Sequence, residues 1–181
     1  MKKYTLSAAA VIGLFICCSF AAAEWMNYKS EDGKFSIMFP KAPQASNEAV
    51  ETAVGKVDTH ILMCESTDEG DNAVYGIVYV DYPATLMSSD MSKDKLDVMF
   101  NGAIEGGAAN MKGAVQSREN ITYKGYPGMK GKISFEGGIM IMEAILVKSR
   151  IYMMEVGYET GKNNVPLMDK FLNSFQFAVQ K

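Results

Sequence analysis

The chain reads as an α+β protein, a layered sandwich in which two helices pack on an antiparallel sheet. Three observations carry that reading. Apolar residues alternate with the two-residue period of half-buried strands in several segments, two stretches switch to helical spacing, and the strands of the second half follow one another through short turns. Strands, a helix, strands and a helix in that order make a layered arrangement, because each apolar stripe needs a sheet to pack on.

The first 23 residues stand apart from this pattern. Lys2 and Lys3 precede an apolar run from Leu6 to Phe20, and Ala21-Ala22-Ala23 supplies the small residues of an A-x-A cleavage site. We expect a secretory signal peptide, cleaved at about Ala23, and a single domain over residues 24–181 that is periplasmic or secreted. A lipid anchor at Cys18 is the weaker alternative, since Phe15-Ile16-Cys17 puts no small residue ahead of it.

Phe35, Ile37 and Phe39 then share one strand face, closed by Pro40. A polar ribbon from Gln44 to Val54 leads through a turn at Gly55-Lys56 to Val57, Thr59, Ile61 and Met63 on another face. Ala73 to Tyr82 is apolar on both faces, which predicts a central strand, and Pro83 ends it. Ser92 is placed to cap a helix carrying Leu96, Met99, Phe100, Ala103 and Ile104, with Met91 and Leu96 as a hydrophobic staple. Gly106-Gly107 should weaken or end that helix.

Val115 to Tyr123 and Met129 to Phe135 read as strands joined by Lys124-Gly125-Tyr126-Pro127-Gly128. Beyond the Gly137-Gly138 turn, Ile139 to Val147 and Ile151 to Tyr158 form a hairpin through Lys148-Ser149-Arg150. A last helix begins near Pro166 and aligns Met168, Phe171, Leu172 and Phe175.

Charge and residue inventory exclude several functions. Without the two leader lysines the chain has 16 basic against 21 acidic side chains, a poor match to nucleic acid. Loss of Cys17 and Cys18 leaves Cys64 and His60 as the lone cysteine and histidine. Four residues along one strand separate these two by roughly 13 Å, where a dyad needs about 3 Å. Neither they nor any motif predicts a catalytic residue, a cofactor or a metal. Glu65, Asp68, Glu69 and Asp71 around Gly70 lack the ligand order of a calcium loop. Glu143 and Glu155 lie inside apolar strands, and a carboxylate-based hydrolase would need them to converge. Met140, Met142, Met153 and Met154 crowd the last hairpin, which fits core filling and, less well, soft-metal binding.

Trp25-x-x-Tyr28, the run Asp32-Gly33-Lys34-Phe35-Ser36-Ile37-Met38-Phe39-Pro40, the Tyr126-Pro127-Gly128 turn and the closing Phe171-Leu172-x-Ser174-Phe175 carry a resemblance. Over nearly the whole mature chain they resemble a broad group of exported bacterial domains similar to the PsbP superfamily, whose members include a photosystem II accessory protein and a Ran-binding nuclear-import factor. The resemblance implies an α/β/α sandwich used for docking to proteins, with no catalytic residues to carry over.

The expectation is therefore a non-enzymatic, exported interaction or accessory module of the bacterial envelope, with another envelope or secreted protein as partner and no membrane span in the mature chain. Trp25, Tyr28, Tyr126 and Tyr158 are the candidate binding residues. The alternative is a small-ligand binder, with a pocket between the helix at 92–107 and the sheet, where Ala103, Gly106, Gly107, Ala108 and Ala109 leave room.

Overall fold

The structure, a computed structural model, describes residues 24–52, 55–66 and 70–178. The signal peptide expected at residues 1–23 lies outside the described residues, as do Asp68 and Glu69 of the acidic loop. Ten strands and two helices are present in the described residues, in the order β1 (Met26–Ser30), β2 (Phe35–Phe39), β3 (Gln44–Thr52), β4 (Gly55–Glu65), β5 (Val74–Asp81), α1 (Lys93–Asn110), β6 (Ala114–Tyr123), β7 (Tyr126–Phe135), β8 (Gly138–Val147), β9 (Arg150–Glu159), α2 (Val165–Ser174) and β10 (Gln176–Phe177). The class is α+β, as its periodicities predict.

Seven strands form an antiparallel sheet in the order β3-β4-β5-β9-β8-β7-β6, and a second sheet runs β1-β2-β10. One face of the large sheet carries α1, which packs on β6, β7 and β8. Its other face carries the small sheet and α2. Period-two alternation sorts the side chains of each strand between these layers. Ile37, Phe39, Tyr75, Phe171 and Phe175 are sealed on the α2 side, while Phe100, Ile104, Ile133, Met142 and Leu146 are sealed under α1. Each such side chain contributes about 1.5–3 kcal/mol relative to exposure.

β5 lies inside the sheet with apolar residues buried on both faces, as its sequence predicts. Several boundaries differ. Gly55 and Lys56 belong to β4, paired with Thr52 and Glu51, and so are not the turn expected there. The β6–β7 turn is only Lys124-Gly125; Tyr126, Pro127 and Gly128 pair with Tyr123, Thr122 and Ile121. Helix α1 continues through Gly106-Gly107 to Asn110, because Gly107 seats the helix where a Cβ would stand 2.7 Å from Met142 Cε. Ser92 holds the N-cap position without a side-chain cap bond, whereas Asn164 caps α2 by accepting from Leu167 N at 3.2 Å. β1 and β10 carry no alternation signal to read, since Met26-Asn27-Tyr28-Lys29-Ser30 has no buried apolar face and β10 is only two residues long.

Candidate functional site

The β1–β2 turn, the β6–β7 turn and the β8–β9 turn meet at one end of the sandwich, and the residues least expected in a bland core gather there. Arg150, one of only two arginines, opens β9 directly opposite Asp81 at the end of β5. Its guanidinium donates to both Asp81 oxygens, from Nε at 2.7 Å and from Nη2 at 2.6 Å, and its Nη1 donates to the Asp32 carbonyl at 2.9 Å. The Asp81 carboxylate holds the guanidinium even more firmly charged than usual. Tyr152 donates its hydroxyl to the Gly33 carbonyl at 2.7 Å. Together they clamp the 31–34 turn onto the large sheet, and Arg150 also lies over the Tyr79 ring at 5.2 Å.

Three lysines crown this clamp. Lys34, Lys124 and Lys148 have φ of 54°, 50° and 56°, in the left-handed region where glycine or asparagine is ordinarily found. Lys124 precedes Gly125, whose φ is 84°, in a two-residue hairpin turn that demands positive φ at both positions. Lys34, Lys148 and Arg150 line a cleft of about 110 Å³ with Tyr126, Tyr152, Asp81 and Ala178. Lys124 lies over the Tyr123 and Phe177 rings and bonds to Gln176.

His60 belongs to the same half of the sheet, bonded through Nδ1 to Asn47 Oδ1 at 2.9 Å and stacked on Tyr79 at 4.5 Å. Cys64 pairs with Tyr75, four residues further along β4, and its thiol is buried, which pushes its pKa up. The two are built into separate structural contacts. At that far end Tyr75 bonds to Asp71, and Asn72 donates to the Tyr75 hydroxyl and the Asn164 carbonyl, both at 2.9 Å, so the acidic loop is tied to the start of α2. Burial first, then the Asp71 carboxylate, push the Tyr75 hydroxyl well above its ordinary range.

The expected aromatic patch is dispersed. Trp25 is buried, edge-on to Tyr75 at 5.2 Å with Lys170 over its ring, so its indole belongs to the core and not to an open face. Tyr28 packs half-buried against Phe39, Tyr126 sits half-buried in the lysine-lined cleft, and half-buried Tyr158 lies opposite Ile139 at the other end of β8. The paired-carboxylate arrangement does not form. Met142 opposes Glu155 and Glu143 opposes Met154, so the two glutamates project from opposite faces. Glu143 pairs with Lys130 at 2.9 Å; Glu155, its carboxyl pushed up to about 7 by burial, lies on the α1 side.

The room expected beside Gly106-Gly107 is also absent, because Gly107 abuts Met142 and Gly131 abuts Ile104, while Gly106 faces outward. A cleft of about 160 Å³ lies instead at the start of α1, between Leu96, Phe100 and the β6–β7 residues Ile121, Pro127 and Gly128. Among the described residues no helix is long and apolar enough to cross a membrane, and no group of three or more His, Cys, Asp or Glu side chains is placed to hold a metal.

No family model matches the chain, and no curated protein matches it. Among solved structures, the solution structure of cyanobacterial PsbP (CyanoP) from Synechocystis sp. PCC 6803 superposes with a TM-score of 0.56, covering 96% of this chain and 99% of that one at 11% identity. The fold is PsbP-like. At that identity the likeness extends to the path of the chain and the sandwich, and the residues of the lysine end come from this sequence alone. Their signal was present in the sequence as Lys in turns beside Gly33, Gly125 and Ser149.

Proposed function

We propose that the chain is a non-enzymatic accessory module of the bacterial envelope, exported by its leader, that docks another protein through the end crowned by Lys34, Lys124 and Lys148. The observation that carries this reading is the left-handed backbone at all three lysines. A side chain other than glycine held there costs about 1–2 kcal/mol, and asparagine tolerates it better. Keeping that cost at three neighbouring turns points to use of the ammonium groups themselves.

Size supports a contact surface. The cleft of about 110 Å³ is well below the roughly 300–1,000 Å³ of metabolite pockets, yet suits one side chain of a partner. Asp81 is neutralised by Arg150, so the three lysines set the local charge against Glu31 and Asp32 of the β1–β2 turn. A partner surface presenting carboxylates fits them, with Tyr126 as the half-buried aromatic contact. The PsbP-like fold supports an accessory role by analogy.

The test replaces all three lysines by asparagine and follows both stability and recovery of partners from envelope extract. We expect equal or higher Tm, with partner recovery down several-fold and wild-type recovery weakened by salt. Unchanged recovery in the triple variant and in Tyr126→Ala would sink the surface.

The cleft at the start of α1 favours a second reading, a binder of a small apolar group among Leu96, Phe100, Ile121 and Pro127. Thermal shift against a compound panel tests it: stabilisation abolished by Phe100→Leu supports it, and a flat panel removes it.

A further inference from the structure

Strand β6 is the last of the large sheet, with β7 on one side and no strand on the other, and α1 packs along it. The β6–β7 turn fixes which of its backbone groups are unused. Lys124 and Gly125, both at positive φ, make a two-residue turn closed by Tyr123 opposite Tyr126, so Tyr123 exchanges both backbone bonds with β7. Ile121 and Glu119 follow with the same period. Thr122, Asn120 and Arg118 therefore turn their N–H and C=O groups away from β7, along the open side of the sheet. Such edges are commonly guarded by a bulge, a proline or a charge. The bulge of β6 falls between Val115 and Ser117, and Arg118 is drawn over to Glu105 of α1 at 2.5 Å, which leaves the edge from Asn120 to Thr122 regular and unguarded.

The cleft of about 160 Å³ at the start of α1 lies against that same stretch. Asn120, Ile121 and Thr122 form one wall, Leu96 and Phe100 another. It is small beside the roughly 300–1,000 Å³ of metabolite pockets and takes a single side chain. Asn120 lies opposite Met129, which is buried under α1, so Arg118, Asn120 and Thr122 all project to the α1 side. On the opposite face exposed Glu119 favours a lysine or arginine across from it.

A row of outward donors and acceptors beside an apolar cleft is complementary to an extended chain: main-chain bonds hold it, and alternate side chains face the cleft. We infer that β6 takes an added strand from another protein, an extended segment that places one aliphatic side chain in the cleft beside Leu96 and Phe100. This rests on the reading of the cleft as a site for an apolar group and adds the backbone to it. Pairing of β6 with its own copy does not satisfy the cleft, because that copy would turn only Arg118, Asn120 and Thr122 to the α1 side, none of them apolar.

The test selects random heptapeptides, displayed as a library, on the whole chain, then maps a synthetic copy of the best one by amide hydrogen exchange. Selected peptides should share one aliphatic position and lack proline beside it. Binding should slow exchange at Arg118, Asn120 and Thr122 by about tenfold or more and leave Glu119 and Ile121, already bonded to β7, as they were. Asn120→Pro removes one outward N–H at an edge, where proline is tolerated, and should weaken binding by about tenfold with the circular-dichroism spectrum kept. Asn120→Ala keeps that N–H and should bind as the wild type does, while Leu96→Ala should weaken binding through the cleft. Binding that survives Asn120→Pro and is lost in Leu96→Ala would overturn the added strand and leave the cleft reading standing. No selected peptide, or one that protects none of the three amides and ignores Leu96→Ala, would overturn both. A dimer of the free chain that protects the same amides would overturn the choice of partner.

Discussion

Asn72 has no solvent contact, and its amide joins two separate pieces of chain. Besides its two donated bonds, Oδ1 accepts from Asn164 N at 2.9 Å, so the loop after β4 and the cap of α2 are held by one side chain. Asn72→Ala strands those groups in a buried place and should cost about 2–3 kcal/mol, read as a lower urea midpoint with unchanged slope. Glu155 gives a pH signature of its own. Its folded-state pKa of about 7 lies above the ordinary 4.5, so the native state binds the proton more tightly than the unfolded chain. The resulting stability is fully present below about pH 4.5 and is lost as pH rises to and through 7. Glu155→Gln should therefore raise stability at pH 8 by about 1–3 kcal/mol and flatten its decline between pH 4.5 and 7, followed by urea melts across that range. The sequence made Glu155 conspicuous among Met153, Met154 and Val156, yet it could not set the glutamates on opposite faces. That depends on register, and a slip of one residue would turn every side chain of β9 over.

Helix α1 shows how packing overrides propensity at the level of one element. Its glycines look alike in sequence and differ in the fold: Gly102 and Gly106 face open space, while Gly107 is seated on Met142. Across the interface Gly131 of β7 leaves room for Ile104, where an added Cβ would stand 2.9 Å from that side chain. Gly131→Ala should thus destabilise by about 1–3 kcal/mol through overpacking. Gly102→Ala and Gly106→Ala should each stabilise by about 0.5–1 kcal/mol by restoring helix propensity. Thermal melts of the three variants check both signs. The helix itself was legible from Leu96, Phe100 and Ile104, and its true end was not, because a glycine pair stops a free helix but not one anchored by Ala108 against the sheet. The same limit hid the lysine end. Lys124 and Lys148 were visible as turn residues, but the common location of Lys34, Lys124 and Lys148 arises from three hairpins brought to one end by long-range pairing.

The large sheet carries a core on each face, and the cores share strands β4, β5, β8 and β9. Damage on one face should therefore be felt on the other. Trp25, the sole tryptophan, reports the α2-side core, while Phe100 lies under α1. Phe100→Leu should lower the fluorescence midpoint of Trp25 and the circular-dichroism midpoint together; a tryptophan transition that stays put would show the faces melting separately. Strand content and the layered class were legible at this scale because alternation survives ignorance of pairing, whereas the separate three-stranded sheet was not. β2 finds its second neighbour in β10, with Gln176 opposite Ser36 and Phe177 opposite Phe35. The segment made last thus completes a sheet begun by one of the segments made first. Such a closure is entropically slow, since the intervening chain must be gathered before the pairing gives anything back. A chain emerging from the ribosome can form the β1–β2 hairpin early, but one edge of β2 stays unpaired until Gln176 and Phe177 have followed.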